Sequence, residues 1–426
     1  MKRKKILKAT TLAFVIAALV FAVAACQSIE RDTVPGASIV VGTYPTTAET
    51  AGSEETPPDQ PPQSSQNDET AAESTDATAM ESPPVVPEEN YIFVNPLTGM
   101  GAALDPTGIR PIAVVVDNAS GALAHQSGIK NADILYETLT APGITRFLAI
   151  YSDYRSMPDV CNVRAGREHD VKIAANYNAV LISHGGLSSE EKYDFYSAVK
   201  DLFGSADAYI DTSKDPAWSA GNGNTLKTIV YYDENYRTDL KYDTVVTKDA
   251  IDYSLITSAF AQAGYTVDGD AVNPFNLSDE APSGENGANV TLTFTAAGVN
   301  SSLLKTVTFK YSAESGSYLR FEDSRPHIDA ATGEQLAFTN VVALLTDVSY
   351  IAGESDVDPL TTFVKIHGSG TGYYFSGGKC VPLIWINTAE TGLKLYTSGG
   401  ELVLSNGNTY VGYLNNAYAN SIKISP

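Results

Sequence analysis

The stretch "PIAVVVDN" (residues 111–118) decides how the fold is read. Ile112 to Val116 are apolar without a break, and all but Ala113 are β-branched. The run is too short for an ordinary helix and shows no polar alternation. It therefore predicts a strand, ending at the polar pair Asp117-Asn118. The alternation of such apolar runs with helical patterns through the first half points to an α/β arrangement. Downstream, "ADILYETLT" (132–140) and "ITRFLAIYS" (144–152) read as two more strands. Five residues, Thr140 to Ile144, separate Leu139 from Thr145 and include Pro142-Gly143, which suits a hairpin and not a helical crossover. Apolar spacing at Val171, Ile173 and Ala174 predicts a helix over 166–176. "NAVLISHGG" (178–186) predicts a buried strand stopping at His184, Gly185 and Gly186. An amphipathic helix over 190–204 closes on a glycine. "KTIVYYD" (227–233) and a helix near "ITSAFAQAG" (256–264) complete an α/β domain with a mixed sheet over 92–280.

Beyond a polar, glycine-rich link at 278–289 the pattern changes. Segments such as "ANVTLTFTAAG" (288–298), "KCVPLIWIN" (379–387) and "GLKLYTSGGELVLSNGNTYVGYL" (392–414) alternate or are β-branched, with Gly, Ser and Asn turns between them. Residues 285–426 predict a β-rich domain, barrel-like or sandwich-like, of about seven or eight strands. The fold class expected is α+β, with the α/β domain first.

The N-terminus carries an address. "MKRKK" is a basic n-region, and the apolar run that follows ends at Val23-Ala24-Ala25-Cys26. Small residues directly before a cysteine resemble the bacterial lipobox, in which the cysteine sulfur receives a diacylglycerol after cleavage of residues 1–25. The alternative is an uncleaved single span. Either way the remainder is expected outside the cytoplasm, held at the cell membrane. Residues 27–91, as in "AGSEETPPDQPPQSSQNDETAAESTD" (51–76), offer no period that could bury a core, so they predict a disordered acidic tether. A flexible chain of that length reaches roughly 45 Å.

The net charge is −22 and the signal segment is itself basic, so the exported chain is more acidic still. Nucleic acid is a poor partner for it. With Cys26 lipidated, Cys161 and Cys380 remain. They can form a bridge between the halves or stand as two buried thiols, and the second reading is preferred.

Against this acidic background "CNVRAGREHD" (161–170) sets Arg164 and Arg167 across Gly166. These residues lie where a loop enters a helix, whose first N–H groups and dipole favour anions. Strand ends would bring Asp117, Asn118, Glu137, His184, Gly185 and Gly186 nearby, and Arg146 opens the second arm of the hairpin. Planar guanidinium groups hold carboxylate or phosphate through two bonds at once. The set predicts an anion site, with Gly166 admitting close backbone approach. The competing reading is structural: Glu137 and Arg146 form a cross-strand ion pair, and Asp117 and Glu168 pin the other arginines.

Catalytic signatures are missing. The chain has no GxSxG and no HExxH, and the histidines at 125, 169, 184, 327 and 367 lack metal-ligand spacing. No catalytic residue, metal or cofactor is expected. A hydrolase using Asp117, Glu137 and His184 on wall glycan or peptide is the alternative function.

Several segments occur together in order: "NPLTG" (95–99), "PIAVVVDN", "SGIKNADILYE" with "GITRFLAIY", "VRAGR", "SHGG", "YLRFEDSRPHIDAATGEQL" and "IHGSGTGYYFSGGK". In this the chain resembles the YerB-like family of bacterial lipoproteins, over about residues 92–422. The resemblance implies an α/β domain followed by a β-rich domain and an envelope location. It implies no reaction. The expected role is a lipid-anchored envelope protein that binds an anionic or wall-derived ligand, or a partner protein.

Overall fold

In the computed structural model, residues 91–189, 193–203, 209–211, 230–232, 249–251, 268–280, 282–297, 303–351 and 361–425 are described. The signal segment and tether, and the helix expected near 256–264, lie outside them.

The run that opened the sequence reading forms β1 (Ile112–Asn118), buried at every position. The hairpin follows as β2 (Ile134–Ala141) and β3 (Ile144–Tyr151), joined across Pro142-Gly143 with Gly143 at φ 68°. Helix α1 (Glu168–Asn176) comes next, then β4 (Val180–Ser183), α2 (Phe195–Phe203) and β5 (Tyr209–Asp211). Helix α1 stops in a Schellman arrangement. Asn178 takes the left-handed conformation at φ 56°, its N–H donates to Ala175 O, and Ala179 N–H donates to Ala174 O at 3.0 Å. Helix α2 begins later than expected because Ser188–Ser189 and Tyr193–Asp194 pair as a short hairpin before it. "KTIVYYD" contributes Val230–Tyr232, paired with Asp249–Ile251.

The second half adds β6 (Asn289–Phe294), β7 (Lys305–Ser312), β8 (Ser317–Glu322), β9 (Asn340–Thr346), β10 (Gly368–Ser376), β11 (Lys379–Thr388), β12 (Gly392–Thr397), β13 (Thr409–Asn415) and β14 (Ile422–Ser425). Two sheets hold most of them. The larger, of 12 strands, runs Gly400–Glu401, β12, β11, β10, β9, β13, β2, β3, β1, β4, β5, with Glu285–Asn286 beside β11. It is mixed: β13 lies parallel to both β9 and β2, while β3 is antiparallel to both its neighbours. The smaller sheet, of 6 strands, centres on β8, β7, β6 and β14.

One sheet therefore crosses from the first half of the chain into the second, and residues Val86–Pro426 form one compact unit. Among the described residues no closed barrel forms. The larger sheet ends on β5 at one side and Gly400–Glu401 at the other. The smaller sheet packs on it instead, with Phe309 of β7 and Phe338 against Tyr410 of β13 at ring-centroid distances of 4.6 and 5.6 Å. Two α-helices occur among the described residues, and both follow the hairpin in the first half. Cys161 and Cys380 are buried free thiols.

Candidate functional site

Register explains how the expected site residues divide. Asp117 of β1, Arg146 of β3 and Thr138 of β2 lie side by side in one row across the sheet. Val116, Phe147 and Glu137 form the adjacent row. Because side chains alternate along a strand, the two rows face opposite ways. Asp117 and Arg146 share the face that α1 covers, where Thr138 Oγ1 meets His169 Nε2 at 2.9 Å. Glu137 faces the smaller sheet. The cross-strand pair Glu137–Arg146 therefore does not form, and Asp117, Glu137 and His184 do not assemble as an acid–base set.

On the α1 face three arginines collect. The loop before α1 runs beside the end of β1: Asp117 N–H donates to Asn162 O, and Arg164 N–H donates to Val115 O, both at 2.9 Å. Arg164 Nε then stands 3.3 Å from Asp117 Oδ2. Arg167 caps α1 and sends its Nη1 to Ala165 O at 3.3 Å and Gly166 O at 3.2 Å. Arg146 Nη1 donates to the same Ala165 O. Two guanidinium groups thus converge on one carbonyl oxygen. Arg146 and Arg167 are 9% and 8% exposed, so water screens their charges little. Arg146 Nε is buried without a hydrogen-bond partner.

The electrostatics follow from that enclosure. Burial drives the Arg146 pKa well below the ordinary range, and the charges of Arg167 and Arg164 push it the same way. Asp170 accepts the Arg167 N–H at 2.7 Å, yet burial still lifts its carboxyl to about 6. His169 is pushed down to about 3 by burial and by Arg167, Lys172 and Arg146, so its ring is neutral. Among the described residues, the carboxylates facing Arg146 are Asp117 and Asp170.

The glycines have a different task from the one expected. Gly166 N–H donates to Gly185 O, and Leu187 N–H donates to Gly166 O, so the two loops are laced together. A Cβ on Gly166 would fall 2.4 Å from Phe195 Cε2, and one on Gly186 only 1.9 Å from Phe195 Cδ1. Both glycines make room for the fully buried Phe195 ring of α2, not for a ligand. Gly185 sits at φ 71°, and its carbonyl accepts from Ser183 Oγ at 2.8 Å. His184 is half-buried and held by its N–H to Arg164 O at 3.0 Å.

The opposite face is closed. Glu137, wholly buried, accepts from Asn118 Nδ2 (3.0 Å) and Thr145 Oγ1 (2.7 Å) on one oxygen. The other oxygen accepts from Arg320 Nη2 (2.9 Å) and Tyr410 Oη (2.7 Å). Arg320 also reaches Glu322 at 3.2 Å, and Lys305 reaches Glu322 at 2.8 Å. Two carboxylates meet two cations. Burial pushes the Glu137 pKa up, but Arg320 and Lys305 outweigh it and hold the group below the ordinary carboxylate value. His327 accepts from Arg320 at Nδ1, so its neutral ring carries the proton on Nε2, which donates to Gln126 at 2.5 Å. Gln126 in turn donates to Asp117 O and Asn118 Oδ1. Glu137 and Asn118 thus belong to a buried network that fastens the smaller sheet to the end of β1, in which Arg320 Nε alone of the guanidinium nitrogens has no hydrogen-bond partner. Arg320 and Glu322 could have been found from their period: in "SYLRFE" they share the inward positions with Tyr318.

A shallow pocket adjoins the arginines. Arg167, Glu168, His169 and Lys172 line one side, and the short strand Thr361–Val364 lines the other through Thr362, Phe363 and Val364. Thr362 Oγ1 fixes that strand by donating to Leu139 O at the end of β2. Among the described residues no cluster of His, Cys, Asp and Glu is arranged to hold a metal ion, and no helix is long and apolar enough to cross a membrane.

Comparison with known proteins places this architecture. Residues 97–222 match the N-terminal domain, and residues 297–411 the C-terminal domain, of the protein family of unknown function DUF3048. The chain belongs to this family. A relative within the YerB-like group, "Putative lipoprotein YerB" of Bacillus subtilis (strain 168), is 28% identical over 305 residues, covering 70% of this chain and 80% of the relative. The crystal structure of YerB protein from Bacillus subtilis superposes with a TM-score of 0.60 at 24% identity, over 78% of this chain and 99% of that one, and so shares the fold. DUF3048 membership carries no reaction with it.

Proposed function

We propose that this protein is a lipid-anchored envelope protein that binds an anionic group at Arg146, Arg164 and Arg167. The observation that carries the reading is the enclosure of these guanidinium groups on one face of the sheet with Arg146 Nε unsatisfied. Burying a donor without a partner costs about 1–3 kcal/mol. At an effective dielectric of 20, like charges about 5 Å apart repel by roughly 3 kcal/mol. An anion relieves both terms at once. The α1 N-terminus, which starts at Arg167, adds a favourable dipole. The lipid anchor rests on Cys26 and the small residues before it, and on the printed name of the B. subtilis relative. A hydrolytic role has less support, because Asp117 and Glu137 face opposite sides of the sheet.

The test is thermal melting of the purified protein in sodium acetate or sodium phosphate against sodium chloride at equal ionic strength. Stabilisation by acetate or phosphate beyond chloride, abolished in Arg146→Ala, supports the reading. Identical melting in all three salts overturns it.

A further inference from the structure

We infer that the arginine site takes up its anion together with a proton, and that the carboxyl group of Asp170 receives the proton. This inference rests on the anion reading above and adds how pH controls the same site.

Asp170 lies in the first turn of α1, 2% exposed, and its Oδ2 accepts the Arg167 N–H at 2.7 Å. From there its charge acts on Arg167 and on Arg146 of β3. The His169 ring, from the same turn, places Nε2 3.8 Å from Asp170 Oδ1. The other charged groups of this stretch of α1, Glu168 and Lys172, are paired with each other. An anion drawn to Arg146 Nε brings a further negative charge into this enclosure. Water screens charges little at that depth, so the anion and Asp170 repel. Releasing a proton from a guanidinium would weaken the hold on the anion, so the arginines cannot relieve the repulsion. His169 is pushed down to about 3 by burial and by Arg167, Lys172 and Arg146, too far to take a proton near neutral pH. Asp117, the other carboxylate facing Arg146, has Arg164 Nε 3.3 Å from one oxygen and accepts the Ala119 N–H at 3.1 Å on the other. Asp170 is already poised. Burial has lifted its carboxyl to about 6 against the pull of Arg167 and Arg146, and a neighbouring negative charge lifts it further. At pH 7 it is ionised in the empty site and protonated in the filled one. Linkage sets the sign: a proton taken up on binding makes affinity rise as pH falls. The rise is up to about tenfold per pH unit from pH 8 to 6, and it levels off below about pH 5, where Asp170 is protonated with or without the anion.

The experiment is isothermal titration of the purified protein with sodium formate, which stays ionised over the range used, at equal ionic strength in bis-Tris, imidazole and Tris. These cationic buffers differ in protonation enthalpy, so the dependence of the heat on the buffer counts the protons taken up. At pH 7 about 0.5–1 proton per formate is expected, and affinity at pH 8 should be about tenfold or more weaker than at pH 6. Asp170→Asn keeps a side-chain oxygen for the Arg167 N–H and cannot titrate. It should take up no proton and bind formate equally at pH 6 and pH 8. Formate binding without proton uptake, or uptake that persists in Asp170→Asn, overturns the proton inference and leaves the anion site standing. If formate binds at no pH, both fail. Should Asp170→Asn fail to fold, the Asp170 carboxyl carbon of the parent protein, followed by NMR, decides the matter: its titration midpoint should rise when formate is added, and an unmoved midpoint overturns the inference.

Discussion

Replacing Arg320 with methionine isolates the buried network. The side chain is wholly enclosed, with its guanidinium carbon 5.1 Å from the Phe147 ring centroid. Methionine preserves most of that packing and removes the charge. Glu137 then loses a 2.9 Å charge-assisted bond and keeps only Asn118, Thr145 and Tyr410, while Glu322 keeps Lys305. Breaking a buried pair from one side typically costs about 3–5 kcal/mol, because the surviving charge is stranded. For a unit of this size that corresponds to a fall in Tm of roughly 4–7 °C. The assay is equilibrium denaturation followed by circular dichroism, run on Arg320→Met, Glu137→Gln and the double variant. The double variant should recover part of the loss, since neutralising both partners removes the stranded charge. A loss below about 1 kcal/mol in Arg320→Met, or a double variant no better than the worse single one, would refute the claim that the pair fastens the two sheets.

Three further outcomes follow. His169 should keep a neutral ring throughout pH 5–8; its folded pKa is depressed from 6.5 to about 3, so the stability it contributes is complete above 6.5 and is lost as pH falls towards 3. Its ring protons, followed by NMR, should not shift across pH 5–8, and a midpoint near 6.5 contradicts this. Gly186→Ala should destabilise by about 1–3 kcal/mol through its clash with Phe195, more than Gly166→Ala, and Phe195→Leu should recover part of the loss in a melting series. Cys26→Ala should abolish metabolic labelling by a clickable fatty acid and release the protein from membranes; unchanged label and retention contradict the lipid anchor.

Much of the central sheet was legible. Ile112–Val116 read as a strand, and Pro142-Gly143 suited a tight turn between two apolar runs. What local pattern could not show was the insertion of β13 between β9 and β2. Register between residues 275 apart in sequence, such as Thr409 and Ile134, is set by packing and leaves no local trace. The same gap explains the site. Sequence placed Asp117, Asn118 and Glu137 together at strand ends, but a one-residue step in a strand reverses the face. Asp117 went to the arginines, while Asn118 and Glu137 went to Arg320. The arginine contrast of "VRAGR" was visible, and the reason for its glycine was not, because Phe195 arrives from a helix almost 30 residues further on.

The central claim is that Arg146 waits for an anion, and its Nε–H can be observed directly. The measurement is acetate titration of protein labelled with nitrogen-15 at arginine Nε, at fixed ionic strength, with Arg146→Lys to assign the signal. Arg110 serves as an internal control, since its Nε already donates to Asn178 O at 2.9 Å. A saturable downfield shift of the Arg146 Nε–H is expected, with Arg110 unmoved. A stationary Arg146 signal at saturating acetate and phosphate, with shifts only at exposed arginines such as Arg325, contradicts it.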